Sequence, residues 1–201
     1  PSIRIQNVSS CTGNHSLHAV GVARAIERYK GDEVAIYSGG ESASSEGYFY
    51  EALNWASLEK LPVVFVLQNN KYGISVPHTD QTANVVVSEN YKGLKDLGIF
   101  NCDGRDYFDS YRAMQAAIEY AKSGKGPALV HADCDRIGSH SNSDRHELYR
   151  SEQERNEVKL RDPLMQFRWH IINKGILSED ELYKIEEDNK ELIFRAADLA
   201  E

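Results

Sequence analysis

Leu61-Pro62-Val63-Val64-Phe65-Val66-Leu67-Gln68-Asn69-Asn70 is the most informative segment of the 201-residue chain. Pro62 breaks the helix pattern before it, and Val63 to Leu67 are apolar without alternation. Such a run suits a strand buried on both faces, as in a parallel sheet covered by helices. Two related runs flank it: Val34-Ala35-Ile36-Tyr37 is short and β-rich, and Ala128-Leu129-Val130-His131-Ala132 follows Pro127. A further short strand is expected around Ile99 to Cys102. Helix signals lie between. Gly47 to Leu58 places Phe49, Leu53 and Ala56 at helical spacing, and Glu89 to Leu97 is a second candidate. Phe108 to Lys122 repeats Tyr111, Met114, Ala117 (or Ile118) and Ala121 on one face and ends at Gly124. Ser16 to Tyr29 reads as a helix ahead of the first strand. Strand alternating with helix predicts an α/β fold, an open, mostly parallel sheet with flanking helices.

Beyond the last strand the pattern changes. Residues 136–156 are polar, rich in Ser, His and Arg and poor in large aliphatics. Pro163 opens a helix with Leu164, Phe167, Ile171 and Ile172 as an apolar stripe, closed by Gly175. Ser178, with Glu181 three residues on, is a capping box for a last helix through Leu182, Ile185, Leu192 and Leu199. The expected organisation is an α/β domain over 1–135, a loop over 136–156, and a C-terminal helical extension over 157–201 packing on the same domain. Residues 3–12 show no clear period. A sheet of these few strands would leave part of its surface bare, which suggests a fragment or a domain that expects a partner.

The chain carries 31 acidic and 23 basic residues, a formal charge of -8, with 41% hydrophobic and 27% charged residues. These values exclude disordered, collagen-like and disulfide-scaffold classes. Residues 178–201 hold nine acidic and three basic side chains, which reads as the wet face of a helix. No basic stripe supports nucleic-acid binding. The longest strongly apolar stretch, Leu61 to Leu67, is far short of the roughly 20 residues that span a bilayer. No charged-then-apolar start resembles a secretory leader. Neither nucleic acid nor membrane is therefore expected as a partner. Cys11, Cys102 and Cys134 are odd in number, widely spaced and without metal-ligand spacing, and suit a reducing compartment, the cytoplasm by default.

Chemistry concentrates in two turns. Ser38-Gly39-Gly40-Glu41-Ser42-Ala43-Ser44-Ser45-Glu46-Gly47 joins a strand to a helix. Free backbone N–H groups and the helix dipole there favour a phosphate, although a tight connection also requires glycine. Gln68-Asn69-Asn70-Lys71-Tyr72-Gly73 follows the next strand, so both turns fall at the C-terminal edge, where ligands of parallel sheets bind. Glu41, the Asn70 side-chain oxygen and a nearby backbone carbonyl could converge there. With phosphate and water oxygens they make the octahedral shell that magnesium requires.

Gly40-Glu41-Ser42 followed by Asn69-Asn70 resembles the thiamine diphosphate motif, Gly-Asp-Gly and then Asn-Asn. The likeness continues through Ser45-Glu46-Gly47, Glu51-Ala52-Leu53-Asn54, Leu61 to Val66 and Asn69 to Ser75. Downstream it includes Arg136-Ile137-Gly138-Ser139-His140-Ser141-Asn142-Ser143-Asp144, Leu148-Tyr149-Arg150 and Asp162-Pro163-Leu164. Over essentially the whole chain, the sequence resembles the α part of the E1 component of 2-oxoacid dehydrogenase complexes. It is most similar to the branched-chain (2-oxoisovalerate) type, which also can use Glu at the motif Asp.

The resemblance implies a thiamine diphosphate-binding fold and oxidative decarboxylation of a 2-oxo acid, with acyl transfer to the lipoyl domain of E2. It implies that Glu41, Asn70 and the Tyr72 carbonyl ligate Mg2+. Gly40, Ser42, Ala43, Gln68 and Arg136 belong to the implied cofactor site, and Ser10 and Thr12 to a segment facing the cofactor. His140 matches the active-site loop histidine that assists reductive acylation, and Ser141 the loop serine that mitochondrial relatives phosphorylate. An E1 β region, fused or separate, supplies the glutamate for the aminopyrimidine, and an α2β2-type assembly follows. The compartment becomes the mitochondrial matrix if the source is eukaryotic. Family members also carry an upstream Tyr-Arg pair for the diphosphate, and this chain starts after it.

Three positions depart from the family pattern. Ser42 replaces a glycine, Thr12 a larger apolar residue, and Gln68 stands where many relatives carry a charge, often Arg. Losing that Arg removes a charge-assisted bond of about 1.5–3 kcal/mol. They support an alternative reading, a non-catalytic thiamine-fold module for assembly or regulation. Pyruvate, acetoin or 2-oxoglutarate are alternative substrates. Structural roles are open as well. Asn69 and Asn70 suit a cap or turn, Glu41 a helix-dipole partner, and His140 and His146 exposed loop positions. Arg136 suits a loop-ordering salt bridge, His131 a satisfied core position, and Tyr48, Phe49 and Tyr50 packing.

Overall fold

A computed structural model of the chain describes residues 4–7 and 9–200. The chain breaks between Leu160 and Arg161 into two compact units. In the first, α1 (His15–Arg28) precedes β1 (Ala35–Gly40), α2 (Gly47–Glu59) and β2 (Val63–Asn69). A small hairpin follows, β3 (Tyr72–Gly73) and β4 (Val76–Pro77), running into the single turn α3 (His78–Gln81). Then come β5 (Gly98–Asp103), α4 (Tyr107–Lys122), β6 (Ala128–Asp133) and α5 (Glu152–Leu160).

The main sheet has four strands in the order β1-β2-β6-β5, and all its pairings are parallel. The unbroken apolar run of β2 is explained by its central place. Val63, Phe65 and Leu67 point to one face, where Val20 and Ala23 of α1 and Phe49 and Leu53 of α2 meet them. Phe65 packs edge-on against Phe49 with ring centroids 5.7 Å apart. Val64 and Val66 point to the other face, under Ala117 and Ala121 of α4. The sheet is an α/β layer covered on both sides, as the alternation of strands and helices requires. Cover is incomplete at the edge: Ile36 of β1 is 53% exposed.

Helix ends follow local chemistry. Asp106 caps α4 by accepting from the N–H groups of Phe108 (2.8 Å) and Asp109 (3.1 Å). In the second unit, Asp162 caps α6 (Pro163–Asn173) by accepting from Leu164 N at 2.9 Å. The Ser178–Glu181 box opens α7 (Glu179–Ala200): Ser178 N donates to Glu181 Oε2 at 2.8 Å and Glu181 N to Ser178 Oγ at 3.3 Å. Arg168 of α6 pairs with Glu186 of α7, and neither helix contains a fully buried residue. Among the described residues no helix is long and apolar enough to cross a membrane.

Three expectations are corrected. The helix expected over Glu89 to Leu97 is instead a short 3-10 stretch, Val87–Tyr91, followed by turns. Its buried Tyr91 donates to the Ser44 carbonyl at 2.8 Å, a tie outweighing helical spacing. Residues 136–156 are not loop throughout, because α5 begins at Glu152. Of the three aromatics that open α2, only Phe49 is core: Tyr48 and Tyr50 are exposed, since the helix turns a single face to the sheet.

Candidate cofactor site

β1 and β2 end side by side, with Gly40 in register with Gln68. Both following turns therefore lie at one edge of the sheet. Glu41, directly after β1, is 1% exposed. Its Oε1 accepts from Ser42 Oγ at 3.2 Å and its Oε2 from Asn70 N at 3.1 Å. Among the described residues it has no cationic partner. A buried carboxyl group is normally paired with a cation or bound to a metal, and each of these oxygens retains a lone pair. Among the described residues, the Asn70 side-chain oxygen accepts only from Tyr72 N, at 3.3 Å. The structure thus brings Glu41, Ser42, Asn70 and Tyr72 together at adjacent strand ends.

The donor chemistry fits a hard cation. Among the described residues there is no metal-holding cluster of three or more His, Cys, Asp or Glu side chains. A cation here would take one carboxylate from the chain and complete its shell with amide, carbonyl, phosphate and water oxygens, as magnesium does beside a phosphate. Ser42 does not crowd the approach. Its hydroxyl bonds Glu41 and lies over Gly73, where an added Cβ would collide with it. At Gly40 a Cβ would meet open space, so no described neighbour demands glycine there.

The remaining positions surround this centre unequally. Ala43 is half-buried, and its carbonyl would lie 3.0 Å from a Cβ at Gly13, which adopts φ +80°. The segment containing Ser10 and Thr12 therefore runs past the Glu41 turn, with both residues exposed. Gln68 is exposed at the end of β2. Arg136 orders the loop through hydrogen bonds in place of the expected salt bridge. It donates to the Ile74 carbonyl (2.8 Å) and the Tyr149 hydroxyl (2.6 Å), and its guanidinium lies 5.6 Å from the Tyr72 ring. Two more of its nitrogens, Nε and Nη1, are buried without a hydrogen-bond partner among the described residues. His140 and Ser141 are exposed; Asp144 accepts from His140 N at 2.7 Å and from Tyr149 at 2.6 Å.

Of the residues that hold this loop, Glu154 is not among the expected positions, and Arg150 and the Tyr72 side chain are expected in no such role. Arg150, 4% exposed, donates to the Arg136 carbonyl at 2.7 Å and to Glu154 at 2.9 Å, and Tyr72 donates to Glu154 at 3.2 Å. Ser151-Glu152-Gln153-Glu154 was an available signal: it is a capping box pattern, and Glu154 N does donate to Ser151 Oγ at 3.1 Å. Beyond β6 lies a cavity of about 500 Å³ walled by His78, His131, Lys71, Asp133 and Asp103. Lys71 pairs with Asp133, and Arg105 bridges Asp103 (2.7 Å) and Asp133 (3.3 Å). The Arg105 hydrogen bond holds the Asp103 carboxyl below the ordinary carboxylate range. Burial lowers the His131 imidazole and, with Cys102 and Asp133 nearby, pushes the Cys134 thiol up to about 11.

Residues 2–201 match the family described as "Dehydrogenase E1 component". The chain belongs to that family. It is 35% identical over 198 residues to the 2-oxoisovalerate dehydrogenase subunit alpha of Bacillus subtilis (strain 168), covering 98% of this chain and 60% of that protein. Identity to the pyruvate dehydrogenase E1 component subunit alpha of Acholeplasma laidlawii is 35% over 188 residues, 92% of this chain and 54% of the relative. Identity to the 3-methyl-2-oxobutanoate dehydrogenase subunit alpha of Mycobacterium tuberculosis (strain CDC 1551 / Oshkosh) is 36% over 167 residues, 83% and 45% respectively. This E1 chain thus spans about half the length of such relatives. Relatives named for pyruvate and for branched-chain acids lie at equal distance, so E1 α membership leaves the acid open.

Proposed function

We propose that this chain is the α-type region of an E1 enzyme that binds thiamine diphosphate through Mg2+ and, with a β region, oxidatively decarboxylates a 2-oxo acid. The observation that carries this is Glu41, a buried carboxyl with no cationic partner among the described residues, hydrogen-bonded to the Asn70 backbone at neighbouring strand ends. Glu41, the Asn70 side-chain oxygen and the Tyr72 carbonyl would hold the metal, and Ser42 and Ala43 would face the diphosphate. When bound, the cofactor supplies the nucleophile and electron sink for loss of carbon dioxide. Arg136 would offer its unpartnered guanidinium nitrogens to an anion while its other nitrogen secures the Ile74 turn. His140 would serve at the mouth of the site, assisting acyl transfer to the lipoyl domain of E2, with Ser141 beside it as the regulatory position. The partners are a β region in an α2β2-type assembly and E2. A reducing compartment, cytoplasm or mitochondrial matrix, suits three cysteines that form no disulfide.

The branched-chain acid is the favoured substrate, on the likeness of the Gly40-Glu41-Ser42 turn to that type. The non-catalytic alternative rests on Ser42, Gln68 and Thr12, and the accommodation of Ser42 over Gly73 counts against it. The test is 2-oxo-acid-dependent reduction of an artificial electron acceptor by the full-length protein with its β region, Mg2+ and thiamine diphosphate. We expect 3-methyl-2-oxobutanoate to turn over faster than pyruvate or 2-oxoglutarate. Turnover of another acid alone would replace the branched-chain assignment, and no turnover with any acid would favour the assembly module.

A further inference from the structure

The segment running from Asn70 into the β3–β4 hairpin carries two of the three oxygens proposed for the metal, yet its backbone is unusual. Lys71 has φ +73° and Ile74 φ +57°, a left-handed conformation that a β-branched residue adopts rarely. Such a turn persists only where its surroundings over-determine it. Beneath it lies Asn69, 2% exposed, between two histidines that are each 6% exposed.

The contacts fix the orientation of every group in this trio. Lys71 N can only donate, so the Asn69 atom 3.1 Å from it is the carbonyl Oδ1. The same oxygen lies 3.2 Å from His78 Nδ1, which must therefore carry its proton. The amide nitrogen Nδ2 is left to donate to His131 Nε2 at 3.2 Å, so that nitrogen is unprotonated. Burial, which disfavours the charged imidazole of His131, keeps it in this accepting form against the opposing pull of Asp133. Flipping the carboxamide would set N–H against N–H at Lys71 and would force both imidazoles into the other tautomer. His78 closes the turn a second time, its backbone N donating to the Lys71 carbonyl at 2.9 Å, and Cys134 N fixes the Asn69 carbonyl at 2.9 Å. Asn69 is thus locked from α3, from β6 and from the turn itself.

We propose that His78 and His131 are positioning residues for the metal: acting through Asn69, they set the turn that presents the Asn70 side chain and the Tyr72 carbonyl. This rests on the assignment of Glu41, Asn70 and Tyr72 as the metal's protein ligands. Among the described residues, neither histidine is hydrogen-bonded to those ligands. Their role is to hold the Asn69 carboxamide in place against the Lys71 amide, and hence to leave Lys71 one conformation.

The test pairs disruptive and conservative variants in the full-length protein with its β region. His131→Leu removes the acceptor and His78→Leu the donor, while His131→Gln offers an acceptor oxygen and His78→Asn a donor nitrogen at a similar reach. Two quantities are read: the Mg2+ concentration for half-maximal thiamine diphosphate binding, and hydrogen exchange of the Lys71 amide without cofactor. Both Leu variants are expected to need at least 10-fold more Mg2+ and to exchange the Lys71 amide at least 10-fold faster, with Phe65 in β2 still protected. The Gln and Asn variants are expected to stay within about 3-fold of the parent protein. Should a Leu variant not fold, His131→Asn, too short to reach Asn69, takes its place with the same expected loss. Parent-like Mg2+ dependence in the Leu variants overturns the positioning role alone. Equal weakening in all variants with a protected Lys71 amide also overturns it, as a merely structural effect. Absence of Mg2+-dependent binding in the parent protein removes the metal assignment itself, and the positioning role with it.

Discussion

The hydroxyl of Ser42 occupies the space that Gly73 leaves by having no side chain. The two positions should therefore be coupled. Gly73→Ala alone is expected to cost about 1–3 kcal/mol through overpacking, and adding Ser42→Gly should restore most of that loss, which a double-mutant cycle by urea denaturation would measure. The cysteines allow a second residue-level test. Cys11 is exposed, whereas Cys102 is buried and the Cys134 thiol is raised to about 11. Iodoacetamide at pH 8 should modify Cys11 in the folded protein and reach Cys102 and Cys134 only on unfolding, as peptide mapping would show. At this scale the sequence was legible where a residue's role is local. Glu41 and Asn70 stood out because a strand-to-helix turn and a strand end bracket them. The His78–Asn69–His131 trio did not, because His131 lies 62 residues beyond Asn69 and meets it only through strand pairing.

Among the elements, β2 and β6 could be read directly because strands buried on both faces need no alternation. β5 and β1 are edge strands and gave weaker signals. α5 escaped notice because Val158 is its only buried residue, so no apolar stripe marks it. The segment around Glu89 misled in the opposite sense. Its apolar residues recur at helical intervals, yet Tyr91 is bound to the Ser44 carbonyl and Val87 is buried in the core, which holds the chain in a tighter turn. The β3–β4 hairpin yields a stability prediction. A left-handed non-glycine residue costs about 1–2 kcal/mol, and glycine's extra chain entropy returns about 0.5–1 of it. Ile74→Gly should then stabilise the chain by about 0.5–1 kcal/mol and raise its melting temperature by about 1–4 °C. Scanning calorimetry decides between that and a loss, which would mean that the half-exposed Ile74 side chain contributes more than its backbone costs.

Across the first unit, the titrating groups set a pH range for stability. His131 is faced by Asp133, Lys71 and His78, and burial lowers its folded value. The unfolded chain therefore binds the proton more readily, and this contribution is lost as pH falls through about 6.5 and below. Asp103, held low by Arg105, adds a further loss at more acidic pH. Cys134 acts in the other direction: the unfolded thiol ionises from about 8.5 while the folded one resists to about 11, so stability declines across that interval. The urea midpoint should be highest between about pH 6.5 and 8.5, with the acid limb shallower in His131→Gln. The uncovered Ile36 and the exposed faces of α6 and α7 show the molecule presenting apolar surface as well. That surface accords with a protein whose relatives extend well beyond this chain. The measurement that bears most directly on the cofactor site is calorimetric titration of thiamine diphosphate into the full-length protein with its β region, with and without Mg2+, comparing the parent with Glu41→Gln. Binding that requires Mg2+ in the parent and weakens at least 10-fold in Glu41→Gln is the expected result. Equal affinity in the two proteins, or binding indifferent to Mg2+, would contradict a metal held by Glu41.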